Sequence, residues 1–198
     1  MVLWTKAKRQ LLKDKIIGPL IKKYGDCKLV PSKKANYYID LVEAICSQQL
    51  SGKAAATIFG RVRVGLGRVV PARILATPDS DFRSWGLSRQ KIKYLRDLSE
   101  KIKRGELKIN KLDGLSDEEV KRELVAVKGI GNWTAEMFLM FSLGRPDIFP
   151  VDDLGIRKSA EMLLKKTDKT HDLAKYAQRW KPFRTYASWY LWKSLDNR

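Results

Sequence analysis

Apolar side chains recur at helical spacing along almost the whole chain, and this periodicity limits the possible folds more than any other feature of the sequence. Residues 88–104, for example, place Ile92 and Leu95 on the apolar face of a strongly basic helix. Residues 6–24 carry the same kind of pattern, which predicts one amphipathic helix that ends at Gly25. No segment shows the convincing alternation of a strand. The sequence therefore predicts an all-α fold.

The charge of the chain points to a polyanionic partner. Forty lysines and arginines face 22 aspartates and glutamates, which gives a net charge of +18. The basic residues are spread along the chain, as on a folded surface, and are not massed in a disordered tail. Nucleic acid is the common partner of such a surface. The alternative is a generally basic protein or a ribosome-associated factor.

The small number of metal-ligating side chains excludes several classes of site. Cys27 and Cys46 are too few for a disulfide framework, a four-cysteine zinc site or an iron–sulfur cluster, and His171 is the single histidine. We therefore expect no cofactor and no metal bound through side chains. The sequence has neither a membrane-spanning apolar run nor a signal-peptide pattern. We expect an intracellular monomer, in the cytoplasm or nucleoid, or in the nucleus if the source is eukaryotic, with no membrane partner.

The most distinctive local motif is Val-Lys-Gly-Ile-Gly-Asn-Trp-Thr, residues 127–134. A helix over 117–126, started by the capping box of Ser116 and Glu119, leads into it, and a buried helix over 133–143 follows. Glycines at both turn positions allow a tight hairpin that a side chain would obstruct, and the residue between them can plug into the core. The N–H groups that follow can bind phosphate oxygens without reading sequence. The predicted DNA-binding residues here are Lys128, Gly129, Ile130, Gly131, Asn132 and Thr134. The alternative is an ordinary helix corner with glycine caps.

An aspartate pair, Asp152 and Asp153, follows the predicted buried helix. One of the two suits a helix N-cap. Because a carboxylate beside phosphates weakens DNA binding, the second aspartate is a candidate for chemistry. No Ser/His/Asp triad is available, and no other carboxylate has a readable acid–base spacing to the pair. A single carboxylate suits a reaction whose leaving group is already activated.

Residues 124–158, which contain the hairpin motif and the aspartate pair, closely resemble the helix-hairpin-helix–Gly/Pro–Asp DNA glycosylases. Within that family they resemble the 3-methyladenine DNA glycosylase II branch. Ser47-Gln48-Gln49-Leu50-Ser51 resembles the branch's wedge-bearing turn, and residues 86–95 and 179–192 resemble two further landmarks. The likeness covers roughly residues 35–195.

The resemblance implies two helical subdomains with an active-site cleft between them. Residues 36–116 would form a central helical bundle, and residues 1–35 with 117–198 a second subdomain that carries the hairpin (117–143) and the aspartate loop. Asp153 matches the family's catalytic carboxylate, with Asp152 as the alternate. Asp152 would instead cap or brace the loop.

The resemblance also assigns the other site residues. Trp133 occupies the position at which strand-cleaving relatives carry a lysine that forms a Schiff base. The resemblance therefore implies a glycosylase without lyase activity. The positions that would line the base pocket are Trp133, Met137, Tyr186 and Trp192, although Tyr186 is equally suited to core packing. Gln49 matches the wedge that fills the gap left by the flipped base; its alternative is an exposed helix end. Some relatives bind a monovalent cation through hairpin carbonyls, which Lys128 and Ile130 could supply for Na⁺ or K⁺.

The predicted function is therefore hydrolysis of the N-glycosidic bond of alkylated purines, of the 3-methyladenine type, in duplex DNA. This is the first step of base excision repair. Two alternatives stay open: a non-catalytic helix-hairpin-helix DNA-binding protein, and a glycosylase for deaminated or oxidised purines.

Overall fold

The computed structural model describes residues 2–164 and 172–195, and within these ranges the chain is helical without a strand. The all-α prediction is therefore confirmed. His171 lies outside the described residues. The helices are α1 (Val2–Leu11), α2 (Ile17–Tyr24), α3 (Tyr37–Ser47), α4 (Gly52–Leu66), α5 (Pro71–Ala76), α6 (Asp79–Ser84), α7 (Arg89–Lys103), α8 (Asp117–Val125), α9 (Asn132–Met137), α10 (Leu154–Leu164), α11 (Leu173–Ala177) and α12 (Arg184–Lys193). A π-helical turn, Phe138–Ser142, continues α9. No helix in the described ranges is both long and apolar enough to cross a membrane.

Residues 32–138 form one compact unit, called here the middle unit. Helix α7 packs against α3, α5 and α6, and α3 also packs against α4. The buried side chains that α7 contributes, Ile92, Leu95 and Leu98, are the ones that its periodicity predicts. The 15-residue α7 thus supports the other elements of this unit.

Residues 1–31 and 139–198 form the second compact unit, the terminal unit. Helix α12 packs against α2 and α10, and α1 packs against α2. Their core is rich in aromatic rings, with Trp180 and Tyr190 almost fully buried. This core fixes α10 and α12, the two helices on which the aspartate pair depends.

Two predicted boundaries differ from the structure. The helix-hairpin-helix segment was predicted to belong with the chain ends, but residues 117–138 belong to the middle unit, because α8 and α9 pack on each other and side chains of α7 hold the hairpin. The single helix predicted over residues 6–24 is two helices. The Asp14 carboxylate accepts hydrogen bonds from the N–H groups of Ile16 and Ile17, both at 2.9 Å, and so starts α2 afresh.

Candidate functional site

The hairpin, residues 127–131, joins α8 to α9 as its motif predicts. The predicted capping box is present: Ser116 and Glu119 bond each other's backbone N–H groups at the start of α8. Ile130 is 3% exposed, so it plugs the turn into the core. Ala135 N–H donates to the Gly131 carbonyl at 3.0 Å, and the amides of Asn132 and Thr134, ahead of it in the first turn of α9, have no intrahelical acceptor. These amides can therefore receive a phosphate oxygen.

The two hairpin glycines are required for different reasons. Gly129 has φ +83°, and a Cβ there would lie 2.1 Å from the Tyr94 ring. Gly131 has φ −95°, and a Cβ there would meet no atom within 4 Å. The expectation that a side chain at either glycine obstructs the hairpin is thus wrong for Gly131. Because Gly131 has no side chain, the surface there is open, and a DNA backbone can approach it closely.

The wedge turn, residues 48–51, lies beside the hairpin in the same unit. Gln49 is exposed and has φ +58°, an unusual backbone conformation for a residue other than glycine. The Gln48 side-chain amide donates to the Gly129 carbonyl at 2.7 Å. The Lys91 ammonium donates to the carbonyls of Cys46 and Gln48, at 2.8 and 2.7 Å. Burial lowers the pKa of Lys91, since desolvation disfavours its charged form.

A cavity of about 410 Å³ separates the wedge turn from the hairpin. It is lined by Gln48, Gln49, Ser88, Gln90, Lys91, Tyr94, Gly129, Gly131, Trp133 and Thr134. Trp133 is 48% exposed, so much of its ring is available to a ligand. The structure thus brings together, within the middle unit, five residues predicted to act on DNA or on the base: Gln49, Gly129, Gly131, Trp133 and Thr134.

The aspartate loop, residues 143–153, is anchored to α12 in the terminal unit. Arg184 grips Asp147 with two nitrogens, Nε to Oδ1 at 2.8 Å and Nη2 to Oδ2 at 3.0 Å. The Thr185 hydroxyl donates to the Arg145 carbonyl at 2.6 Å and accepts from the Ile148 N–H at 2.9 Å. These bonds hold the loop at the N-terminal end of α12.

Asp153 is held at the other end of the loop by two donors to one oxygen. Its Oδ1 accepts from the indole Nε1 of Trp192 and from the Ile156 N–H, both at 2.8 Å. The Ile156 bond makes Asp153 the N-cap of α10, where the helix dipole favours a negative charge. Gly155 allows this arrangement, because a Cβ there would lie 3.0 Å from Trp192 Cδ1 and 3.1 Å from Asp153 Oδ1.

Asp152 is exposed and accepts no hydrogen bond from the described part of the chain. The expectation that Asp152 caps the loop is therefore wrong: Asp153 caps α10, since it is the residue immediately before the first helical residue, Leu154. One carboxylate, that of Asp153, thus combines a fixed orientation with partial exposure.

The four residues predicted to line a base pocket divide between the two units. Trp133 and the half-buried Met137 belong to the middle unit, and Tyr186 and Trp192 to the terminal unit. Tyr186 is 8% exposed and packs against Trp4, with ring centroids 5.5 Å apart. Burial raises its pKa. Tyr186 is therefore a core residue of the terminal unit. The pocket and the cleft that would contain it stay predictions.

Several residues that hold the site were not singled out from the sequence. They are Tyr94, Lys91 and Asp97 on α7, together with Gln48, Asp147, Arg184 and Thr185. Asp97 accepts from the Lys128 N–H at 2.9 Å, so the hairpin is bonded to α7 as well as to the wedge turn. The i, i+3, i+6 spacing of the three α7 residues predicts that they share one face of the helix, but the sequence does not show what that face contacts.

The chain belongs to the helix-hairpin-helix–Gly/Pro–Asp superfamily of base excision DNA repair proteins, whose family model matches residues 42–184. It is 38% identical over 172 residues to DNA-3-methyladenine glycosylase 1 of Schizosaccharomyces pombe, which is 82% of this chain and 74% of that protein. Two solved structures resemble it over 96% of its length. A DNA-3-methyladenine glycosidase from Bacillus halodurans has a TM-score of 0.83 at 36% identity, with 89% of that chain covered. The Schizosaccharomyces pombe 3-methyladenine DNA glycosylase, in complex with abasic DNA, has a TM-score of 0.79 at 35% identity, with 96% covered.

Proposed function

We propose that this protein is a monofunctional DNA glycosylase that hydrolyses the N-glycosidic bond of alkylated purines in duplex DNA, the first step of base excision repair. One observation carries the proposal: the Asp153 carboxylate, fixed by Trp192 Nε1 and the Ile156 N–H, in a chain of this superfamily. The names of the relatives, which are 3-methyladenine glycosylases, support the substrate class. Such an activity belongs where the DNA is, in the nucleoid or nucleus.

The fixed carboxylate suits a reaction in which the base departs early. As the glycosidic bond lengthens, positive charge develops on the sugar, and a negative group already oriented toward it stabilises the transition state without reorganising. Asp153 would supply that charge and orient or deprotonate the attacking water. An N-alkylated purine is cationic and leaves readily, so the reaction makes little demand for a general acid. This agrees with a loop in which Asp147 is engaged by Arg184, so that Asp153 is the half-buried carboxylate that supplies the charge for the reaction.

The hairpin and the wedge turn would supply the contacts to DNA. The amides at the start of α9 would bind phosphate, and the open space at Gly131 would let the backbone approach. The exposed Gln49 would enter the stack when the target base leaves it. The Lys128 side chain is 76% exposed, with its ammonium 3.6 Å from Asp97 Oδ1, and it would turn from that carboxylate to the same phosphate when DNA binds. The exposed Asn132, in the first turn of α9, would complete this surface, whereas Thr134, which is 5% exposed, would contribute only its backbone N–H.

Aromatic rings would bind the flipped cationic base through stacking and cation–π attraction. Of the four candidates, Trp133 has the best support because almost half of its surface is exposed. Trp192 would contribute chiefly through its bond to Asp153. Met137 is half-buried, and Tyr186 is buried among other rings, so we assign both to the wall of the pocket and not to direct stacking.

A monovalent cation at the hairpin is a further part of the proposal. The hydrogen bonds of the described residues leave the carbonyl oxygens of Lys128 and Ile130 unused, whereas the Gly129 carbonyl is occupied by Gln48. Free carbonyls of this kind fit Na⁺ or K⁺, and a cation there would attract phosphate. Among the described residues no cluster of His, Cys, Asp and Glu side chains could hold a metal. DNA affinity should be higher in KCl than in tetramethylammonium chloride at equal ionic strength; equal affinity would remove the cation from the account.

Base release from a panel of duplexes tests the proposed function. One strand of each duplex carries 3-methyladenine, 7-methylguanine, hypoxanthine or 8-oxoguanine, and the released base is separated by chromatography. We expect release of the methylated bases and no strand cleavage at the resulting abasic site without added alkali, because Trp133 stands at the lyase position. Tight duplex binding without release of any base would instead identify a non-catalytic DNA-binding protein. Preference for hypoxanthine or 8-oxoguanine would identify a glycosylase for another lesion.

A further inference from the structure

One face of α7 holds both parts of the surface that we assign to DNA contact. Lys91, Tyr94 and Asp97 are spaced three residues apart and so share one face of the helix. Lys91 bonds the wedge turn, Tyr94 packs under Gly129, and Asp97 accepts from the Lys128 N–H at 2.9 Å. The wedge turn and the hairpin are therefore fixed to the same rigid element.

Gln48 links the wedge turn directly to the hairpin. Its side-chain amide is half-buried and donates to the Gly129 carbonyl at 2.7 Å, while its own carbonyl accepts from Lys91 at 2.7 Å. Residue 49, which follows directly, has the unusual φ of +58°. A backbone of this kind persists where its surroundings hold it, and here the carbonyl just before it is held by an ammonium group.

We propose that Gln48 and Lys91 are positioning residues that couple the grip of the hairpin on the DNA backbone to the insertion of the Gln49 wedge. Binding of phosphate at the hairpin then holds the wedge at a set depth and angle against the stack. The inference rests on the proposed function, since it concerns the base-flipping step of that reaction. It assigns to Gln48 and Lys91 no contact with the reacting atoms.

The sharpest test replaces Gln48 by an isosteric residue that cannot donate. Gln48→Glu puts a carboxylate oxygen against the Gly129 carbonyl, and Gln48→Met removes the donor without adding charge. Gln178→Glu is the matched control, because the exposed Gln178 lies in the terminal unit and undergoes the same charge change without a bond to the wedge turn or the hairpin. Thermal melting and affinity for undamaged duplex establish that each variant is folded.

Flipping is read from 2-aminopurine placed beside the target site, and release is measured in single turnovers. For Gln48→Glu and Gln48→Met we expect about a tenfold loss of the fluorescence change and of the release rate, which corresponds to about 1.4 kcal/mol, while duplex affinity stays within about threefold of the control. The loss should shrink when the methylated base lies opposite an abasic site, since an unpaired base costs less to flip. Lys91→Gln should behave in the same way.

Two results would overturn the coupling. One is a fluorescence change of the same size in wild type, Gln48→Glu and Gln178→Glu, or the absence of a change in all three. The other is an equal fold-loss of release from paired and unpaired sites, which identifies a general structural defect. Failure of the proposed function gives a different result. Wild type would then release no methylated base from the paired or the unpaired site, even if the fluorescence change depended on Gln48.

Discussion

Trp192→Phe should impair the chemical step by taking one hydrogen bond from the Asp153 carboxylate. The indole Nε1 donates to Oδ1 at 2.8 Å, and phenylalanine keeps an aromatic ring beside Phe141, 5.9 Å away, while it removes that donor. A hydrogen bond to a charged group contributes about 1.5–3 kcal/mol. Since each 1.36 kcal/mol is a factor of ten in rate, loss of the bond should lower kcat by about 10- to 100-fold.

The matched control is Trp189→Phe. Trp189 lies on the same helix, its ring is 4.9 Å from that of Tyr190, and it makes no bond to Asp153. Single-turnover release of a methylated base from duplex should be nearly unchanged by this control. In an Asp153→Asn background, Trp192→Phe should cause little further loss, because residues that act through one another are not additive. A Trp192→Phe rate equal to that of the control, or a full additional loss in the Asp153→Asn background, would refute the reasoning.

Three further predictions test other parts of the structure. Gly129→Ala should lower the free energy of unfolding by more than about 1–2 kcal/mol, because φ is +83° and the Tyr94 ring lies 2.1 Å from the new Cβ. Gly131→Ala should lower the free energy of unfolding much less, because its Cβ meets no atom within 4 Å, but it should weaken duplex binding. Urea titration and fluorescence anisotropy measure the two effects, and equal loss of stability in both variants would contradict this view. Gly155→Ala should slow base release several-fold by displacing Trp192, whose Cδ1 would lie 3.0 Å from the new Cβ; an unchanged rate would argue against a close-packed site. Burial raises the pKa of the Cys46 thiol to about 12, so iodoacetamide at pH 8 should label Cys46 only in denaturant, whereas the half-buried Cys27 can react in the native protein. Stability should fall as pH rises above about 9, where the thiol of the unfolded chain ionises. Rapid labelling of Cys46 in the native protein, located by peptide mapping, would refute this.

Local signals carried most of what the sequence predicted correctly. The capping box at Ser116, the glycine at residue 129 and the apolar Ile130 each act on their own neighbours, so a single stretch of sequence is enough to read them. The split between α1 and α2 was missed although its signal is also local. Asp14 is a helix-starting residue inside an amphipathic pattern that continues across it.

Long-range bonds account for what the sequence could not predict. Asp153 and Trp192 are 39 residues apart, and Gln48 and Gly129 are 81 apart. Periodicity shows which face of a helix is apolar, but it does not show which polar side chain meets which backbone group across the core. The assignment of the hairpin to the middle unit depends on such bonds, and so does the capping role of Asp153.

Whether the Asp153 carboxylate carries the chemistry is decided by single-turnover base release from methylated duplex, with Asp153→Asn and Asp152→Asn measured side by side. Asparagine can still accept from the Ile156 N–H, so α10 should keep its cap and the melting temperature should change little. We predict that Asp153→Asn lowers the release rate of the methylated base by at least about 100-fold, with Asp152→Asn close to wild type. Undiminished release by both variants would contradict the account, as would a loss confined to Asp152→Asn.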